Sequence, residues 1–131
     1  ATSPSFCGDR SFAALTVKAQ LLEKLNRSSE AAEIMKKTLA FGNMFEIHQY
    51  GRTLLMQKKN KEALEVFKKN FDKNPGQFTT LVGLARGYSA NGDYKNALKY
   101  ANQALPLAPD GTNKTNIEAM IQKLKEGKDG N

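Results

Sequence analysis

Two stretches of the chain align residue by residue at a spacing of 34. Residues 47–75 have the sequence IHQYGRTLLMQKKNKEALEVFKKNFDKNP, and residues 81–109 have the sequence LVGLARGYSANGDYKNALKYANQALPLAP. In this register Ala63 corresponds to Ala97, and Pro75 corresponds to Pro109. Repeats with periods of about 20–50 residues indicate arrays of supersecondary units that bury their apolar faces only against one another. The period therefore predicts a stacked architecture as well as a local structure.

Apolar residues recur within both stretches at intervals of three and four, which is the spacing of one helical face. Polar turns at residues 58–61 and 91–93 divide each stretch into two helices. We expect Pro75 and Pro109 to stop the second helices, because proline lacks an N–H and clashes with the preceding turn. The residues predicted to face inward are Ile47, Tyr50, Gly51, Leu54, Ala63, Leu64, Phe67 and Phe71, then Leu81, Leu84, Ala85, Tyr88, Tyr94, Ala97, Ala101 and Ala104.

A looser copy of this hairpin precedes the two stretches. Ala31 and Ala63 are 32 residues apart, so the junction between these copies is shortened by two. The residues predicted to face inward are Leu15, Ala19 and Leu22 in its first helix, and Ala31, Met35, Thr38 and Leu39 in its second.

Helix ends are marked by short polar signals around this copy. The sequence SSEA at residues 28–31 predicts an N-cap serine for a helix from about residue 29 to 41, and Gly42 predicts its end. Asn43 and Glu46 are three residues apart and predict a capping box at the next helix.

A last amphipathic helix is predicted from about residue 112 to 126, with Gly127 as its stop. Ile117, Met120, Ile121 and Leu124 lie on one of its faces, and charged residues lie on the other. Stacked repeats need a terminal helix that is apolar inside and polar outside, so we expect this segment to cap the array.

Over residues 12–111 these features resemble the tetratricopeptide repeat family. The resemblance implies an all-α fold, a right-handed α-solenoid of three helical hairpins at residues 12–43, 44–77 and 78–111. A capping helix at 112–127 follows, with tails at 1–11 and 128–131. It also implies a non-enzymatic module that binds a protein or peptide partner.

A narrower resemblance concerns the second and third hairpins. The sequences YGR at 50–52, KEALEVF at 61–67 and GLARGY at 83–88 are similar to the C-terminal repeat region of exported bacterial proteins of unknown function. This resemblance implies a detached C-terminal module with a periplasmic or exterior location.

In tetratricopeptide proteins the first helix of each hairpin lines a concave groove that commonly holds a peptide. Arg52 and Arg86 are 34 residues apart, so their guanidinium groups are expected to point into the same groove, where they would bind an acidic peptide through bidentate hydrogen bonds. The alternative is that both arginines pair with neighbouring acids or lie in solvent. The concave positions implied by the register are Gln20, His48, Arg52, Leu55, Val82, Arg86 and Ser89.

The chaperone-binding members of the family use a Lys/Asn set across successive repeats as a carboxylate clamp. Thr16, Gln20, His48 and Val82 stand here where much of that set would be. Recognition of a chaperone's acidic C-terminus is therefore not expected.

The chain carries 20 Lys and Arg against 13 Asp and Glu, a net charge of +7. This balance keeps a second function open, that of a basic accessory protein associated with nucleic acid. Its lysines are spread without an Arg-rich cluster or an aromatic stacking platform, a pattern that also fits solvated outer helical faces.

Catalytic and metal-binding groups are scarce. His48 is the one histidine and Cys7 the one cysteine, so neither a multi-histidine metal site nor an intrachain disulfide is predicted. A Cys–His catalytic pair would need Cys7, which lies in the predicted tail. We therefore expect no enzymatic activity, no cofactor and no metal.

The sequence opens on polar residues without an initiator methionine, which predicts either a removed leader or a piece of a longer protein. The first hairpin has no polar cap before it, so Leu15 and Leu22 are predicted to be exposed. Such an edge would support self-association or contact with an upstream domain. No apolar run reaches the length of about 18–20 residues needed to cross a bilayer.

Overall fold

The computed structural model describes residues 11–131, and within them it contains seven α-helices and no strand. The predicted all-α helical-repeat fold class is confirmed. The predicted N-terminal tail, including Cys7, lies outside the described residues except for Ser11. The helices are α1 (Phe12–Lys24), α2 (Ser28–Phe41), α3 (Met44–Met56), α4 (Asn60–Lys73), α5 (Phe78–Ala90), α6 (Tyr94–Ala104) and α7 (Gly111–Lys125).

The shortened junction predicted between the first two copies is confirmed by the helix bounds. The connection from α2 to α3 contains two residues, 42–43, whereas that from α4 to α5 contains four, 74–77. The difference of two residues equals the difference between the spacings of 32 and 34 from Phe12 to Met44 and from Met44 to Phe78.

The turns inside the three hairpins share one backbone geometry. Asn26, Lys58 and Gly92 have positive φ angles of 60°, 62° and 82°. In each turn the next N–H returns to a carbonyl five residues earlier, as between Asp93 and Tyr88 at 2.9 Å, which is the Schellman motif of helix C-termini. Gly127, with φ of 74°, ends α7 in the same way. The helix that we expected to cap the array therefore ends as the first helix of each hairpin does.

The capping box at α3 is confirmed, whereas the N-cap serine of α2 is not. The Glu46 N–H donates to Asn43 Oδ1 at 2.8 Å, and the Asn43 N–H donates to Glu46 Oε1 at 3.0 Å. At α2 the N-cap is Arg27, no side chain caps the helix, and Ser28 is already helical. Arg27 instead forms an ion pair with Glu30 at 2.7 Å, so the prediction of a serine cap was wrong.

The stop predicted at Pro109 was also wrong. Helix α6 ends at Ala104 and tightens into a 3-10 turn, Leu105–Leu107. This turn contains Pro106, which cannot donate the hydrogen bond that a continuing α-helix requires. The predicted stops at Gly42 and Gly127 are confirmed.

The described residues belong to two compact units, one ending at Glu46 and the other spanning Ile47–Asn131. In the first unit, Ala19, Leu22, Ala31 and Met35 are buried as predicted. The predicted exposure of Leu22 was therefore wrong, because only 8% of it is accessible. The large apolar side chains exposed on α1 are Val17, Leu21 and Leu25.

The second unit has a continuous core that joins its last hairpin to α7. Small residues lie where α5 and α6 approach each other, and longer apolar side chains of α7 pack against them. The face predicted for α7 is confirmed in full. The buried members of this core are Leu81, Val82, Ala85, Ala97, Ala101, Ala104, Ile117, Met120, Ile121 and Leu124.

Candidate functional site

His48 lies on α3 of the second unit, against the ring of Phe67 from α4. The two ring centroids are 5.5 Å apart, and the rings are inclined at 52°. On its other side the His48 ring approaches α5, where a Cβ placed on Gly83 would lie 3.3 Å from Nδ1. The imidazole is thus held between α4 and α5.

Phe67 fixes the spacing of the helices around this histidine. It is 1% exposed, and glycines of both neighbouring helices lie against its ring. A Cβ at Gly51 would lie 2.5 Å from Cε1, and a Cβ at Gly83 would lie 2.6 Å from Cδ1. A Cβ at Gly87 would lie 3.1 Å from Cδ2. The glycines therefore admit the ring by close packing, which agrees with our interpretation of Gly83 and Gly87 as packing residues.

Three positively charged or titratable groups from α3 and α5 influence one another here. Burial, then the charge of Arg86 and then that of Arg52, lower the pKa of His48 from 6.5 to about 4. Burial and then the charge of Arg52 also lower the pKa of the Arg86 guanidinium. His48 is consequently neutral at pH 7 and faces two guanidinium groups. The 34-residue register has brought Arg52 and Arg86 into one electrostatic environment.

Two polar atoms of this cluster have no hydrogen-bond partner among the described residues. They are Nδ1 of His48 and Nε of Arg86, and both are shielded from solvent. A buried polar atom without a partner costs about 1–3 kcal/mol, more when it belongs to a charged group. The Arg86 Nε–H is thus an unused donor beside a second positive charge, an arrangement that favours an incoming anion.

The segment after α7 reaches the same helix α5. The Ser89 hydroxyl donates to Asp129 Oδ1 at 2.5 Å, and the Gly130 N–H donates to Ser89 Oγ at 2.7 Å. The Asn131 side-chain amide donates to the backbone carbonyl oxygen of Arg86 at 3.0 Å. Residues 129–131, which we had expected to belong to a tail, lie against the Arg86–Ser89 turn of α5.

The carboxylate of Asp129 is stabilised in this position. Burial raises its pKa, but hydrogen bonds from Ser89 and Asn131 and the charge of Lys123 outweigh burial, so the pKa lies below its usual value. Asp129 is therefore ionised at neutral pH.

The other predicted concave residues are placed unequally. Arg52 is exposed, whereas Leu55 and Arg86 are half-buried. Val82 belongs to the core, and Ser89 is 1% exposed beneath residues 129–130, so neither presents surface to a ligand in this state. Gln20 lies half-buried on α1 in the other unit.

Sequence reasoning missed the contribution of residues 129–131. The stretch DGN is typical of turns, and turn residues carry no periodic signal that relates them to α5. A weak signal did exist, because Gly127 follows α7 as Gly92 follows α5, and so predicts that the chain reverses there.

Other features of the described residues lie apart from this cluster. An open pocket of about 600 Å³ lies at the hairpin turns and is lined by Lys58, Lys59, Asn60, Lys61, Glu62, Ala90 and Asn91. Within residues 11–131 there is no group of three or more His, Cys, Asp or Glu placed to hold a metal ion. None of the helices found in that range combines the length and apolar character needed to span a membrane.

Comparison with protein families agrees with the hairpin geometry. Residues 51–110 match the tetratricopeptide repeat family model. The chain carries tetratricopeptide repeats. The match begins within α3 and includes α4, α5 and α6, which are the helices that hold Arg52, Phe67 and Arg86. No curated protein and no solved structure gives a significant match.

The match has a general functional meaning. Tetratricopeptide repeats mediate protein–protein interaction and are typically non-enzymatic, and protein partners are therefore the class that the family suggests for this chain. Neither the identity of the partner nor the surface that binds it is given by the match.

Proposed function

We propose that this chain is a non-enzymatic peptide-binding module whose first-helix surface around Arg52 and Arg86 takes an acidic peptide. The observation that carries the proposal is the unpartnered Nε of Arg86 beside the charge of Arg52. Two guanidinium groups in one environment repel each other unless an anion lies between them. A carboxylate would relieve that repulsion and accept the unused N–H.

The neutral imidazole of His48 adds specificity to this surface. Its pKa of about 4 leaves it uncharged at pH 7, so it offers a hydrogen-bonding nitrogen without adding to the positive charge. The half-buried Leu55 lies one turn beyond Arg52 on α3 and supplies apolar area beside the charges. The proposed ligand therefore has a carboxylate flanked by an apolar side chain.

The test is a titration of the labelled chain with a short peptide of aspartate, glutamate and leucine, followed by NMR. We expect shifts at Arg52, Arg86 and His48, and an affinity at least about 10-fold lower in Arg52→Gln/Arg86→Gln, because each charge-assisted hydrogen bond contributes about 1.5–3 kcal/mol. The matched control is Lys69→Gln/Lys95→Gln, which removes the same charge from exposed positions on α4 and α6.

The alternative function, association with nucleic acid, has a different signature in the same experiment. Generic duplex DNA would shift the lysines around residues 58–61, and its affinity would fall steeply with salt as counterions are released. In that case the lysine control would lose more affinity than the arginine variant. Equal losses in the two variants would contradict the proposed groove.

A further inference from the structure

The segment Asp129–Asn131 saturates the hydrogen-bonding capacity of Ser89. The hydroxyl donates to the Asp129 carboxylate and accepts from the Gly130 N–H, at 2.5 and 2.7 Å. Because Ser89 is 1% exposed, these bonds are made away from solvent, where an unmade hydrogen bond is costly. An acidic side chain followed by a backbone N–H is thus the chemistry that this turn of α5 accepts.

The same segment also engages Arg86 at both its main chain and its side chain. The Asn131 amide donates to the Arg86 carbonyl oxygen at 3.0 Å, and Arg86 Nη1 is 3.5 Å from Asn131 Oδ1. Arg86 is therefore shared between the segment and the cluster that contains His48 and Arg52. A ligand that draws the Arg86 guanidinium toward Arg52 would weaken its contact with Asn131.

Glycine at position 130 is a steric requirement of this arrangement. A Cβ there would lie 2.6 Å from Met120 Cγ and 3.3 Å from the Met120 carbonyl oxygen. Met120 belongs to the core and is 3% exposed, so it has little room to move. A side chain at residue 130 would therefore lift the segment away from α5 without changing any charge.

We propose that Asp129–Asn131 is an internal ligand of the Arg86–Ser89 turn, and that an acidic partner segment carrying an aspartate displaces it. This inference rests on the proposed function, since the displacing peptide is the one that Arg52 and Arg86 bind. The segment occupies the turn with the chemistry expected of the partner, an aspartate carboxylate on Ser89 and a neighbouring amide. Binding in trans is accordingly in competition with binding in cis.

Three variants of the full chain separate displacement from charge. Gly130→Ala removes the segment from α5 by a clash and leaves the net charge unchanged. Asp129→Ala removes the acceptor of the Ser89 hydroxyl. Glu126→Gln is the charge-matched control for Asp129→Ala, because it removes a nearby exposed carboxylate that does not contact Ser89.

The probe is an aspartate-rich peptide, and its affinity is measured by calorimetry. We expect Gly130→Ala and Asp129→Ala to bind it at least about 3-fold more tightly than the unsubstituted chain. Glu126→Gln is expected to stay within about 1.5-fold of it, because an exposed charge contributes little. In NMR the peptide should move the Asn131 side-chain amide signals of the unsubstituted chain toward their positions in Asp129→Ala.

The outcomes distinguish this inference from the function on which it rests. Unchanged affinity in Gly130→Ala, with loss of binding in Arg52→Gln/Arg86→Gln, would overturn the internal ligand and leave the proposed function standing. Failure of the peptide to bind either the unsubstituted chain or Gly130→Ala would overturn both. Hydrogen exchange of the Gly130 amide at the rate of an unstructured peptide would overturn the internal ligand whatever the peptide does.

Discussion

Phe67 and the three glycines around it show how single residues set helix spacing in this repeat. An aromatic side chain buries a large apolar area, but only if the neighbouring backbones lie close enough to cover it. Gly51, Gly83 and Gly87 provide that approach from α3 and α5, and the ring has no free direction in which to move. The glycines therefore act through the space that they leave empty.

Gly51→Ala is expected to destabilise the chain by about 1–3 kcal/mol, because the new methyl would overlap Phe67 Cε1. The matched control is Gly111→Ala, since a Cβ at Gly111 meets nothing within 4 Å. Alanine is intrinsically favoured over glycine in helices, so the control is expected to be neutral or slightly stabilising. Urea unfolding of both variants measures the difference, and equal stabilities would contradict the packing around Phe67.

The single histidine predicts a defined pH dependence of stability. Its pKa is about 4 in the folded chain and near 6.5 when unfolded, so the unfolded state binds a proton first as the pH falls. Stability contributed by neutral His48 is therefore present above pH 6.5 and is lost between pH 6.5 and 4. At about 1.4 kcal/mol per pKa unit, the loss amounts to roughly 1–3 kcal/mol.

His48→Gln tests this dependence, because it removes the titrating ring and keeps a polar side chain. Its free energy of unfolding is expected to change less between pH 7 and 5 than that of the unsubstituted chain. The carboxylates titrate in both proteins and cancel in the comparison. Parallel pH profiles would show that another group is responsible.

At the scale of the element, helix ends could be predicted where a side chain forms a reciprocal pair and failed where it competes with an ion pair. Asn43 and Glu46 satisfy each other's backbone N–H groups, so their spacing alone defines the start of α3. Ser28 has the residue type of a cap, but Arg27 and Glu30 bind each other and the helix begins one residue earlier. Residue type was sufficient in the first case and not in the second.

Asn43→Ala is expected to cost about 1 kcal/mol, the usual contribution of an N-cap. Ser28→Ala is expected to change stability by no more than about 0.5 kcal/mol, because its side chain does not cap α2. Thermal unfolding of the two variants makes the comparison. A larger loss in Ser28→Ala than in Asn43→Ala would contradict the assignment of the two caps.

The hairpin turns show that one geometry tolerates different residues. Asn26, Lys58 and Gly92 all adopt positive φ, although only glycine does so without steric cost. The reciprocal bonds between Asn60 and Asn91, at 3.2 Å to Ala90 O and 2.8 Å to Asn60 O, link neighbouring turns in the second unit. Tertiary contacts of this kind offset the local strain at Lys58.

At the scale of the whole molecule, the charge of +7 bears on how fast an acidic partner is captured. Long-range attraction raises association rates, while close contacts set dissociation rates. The spread lysines and the Arg52/Arg86 pair therefore have separable kinetic roles in the proposed function.

Lys69→Glu/Lys95→Glu is expected to slow association with an acidic peptide several-fold at low salt and to leave dissociation nearly unchanged. Arg52→Gln/Arg86→Gln is expected to accelerate dissociation by about 10-fold or more. Stopped-flow measurements at two salt concentrations separate these effects. If both variants altered only the association rate, the arginines would be acting as general charge rather than as a binding site.

The sequence by itself determined the helices, the hairpins and the shortened junction, because these depend on interactions between residues within one period. Apolar residues at intervals of three and four define the buried faces, and Ala63 and Ala97 return at 34 for the same packing reason. The sequence also placed Arg52 and Arg86 in equivalent positions. The tertiary structure alone decided what surrounds them.

The burial of His48, the unpartnered Nε of Arg86 and the return of residues 129–131 to α5 involve partners that the period does not relate. Ser89 and Gly130 are 41 residues apart and meet only after α6 and α7 have packed. A hydrogen bond of that kind depends on the relative placement of whole helices, to which many side chains contribute. Local pattern cannot encode it, since no repeat unit contains both partners.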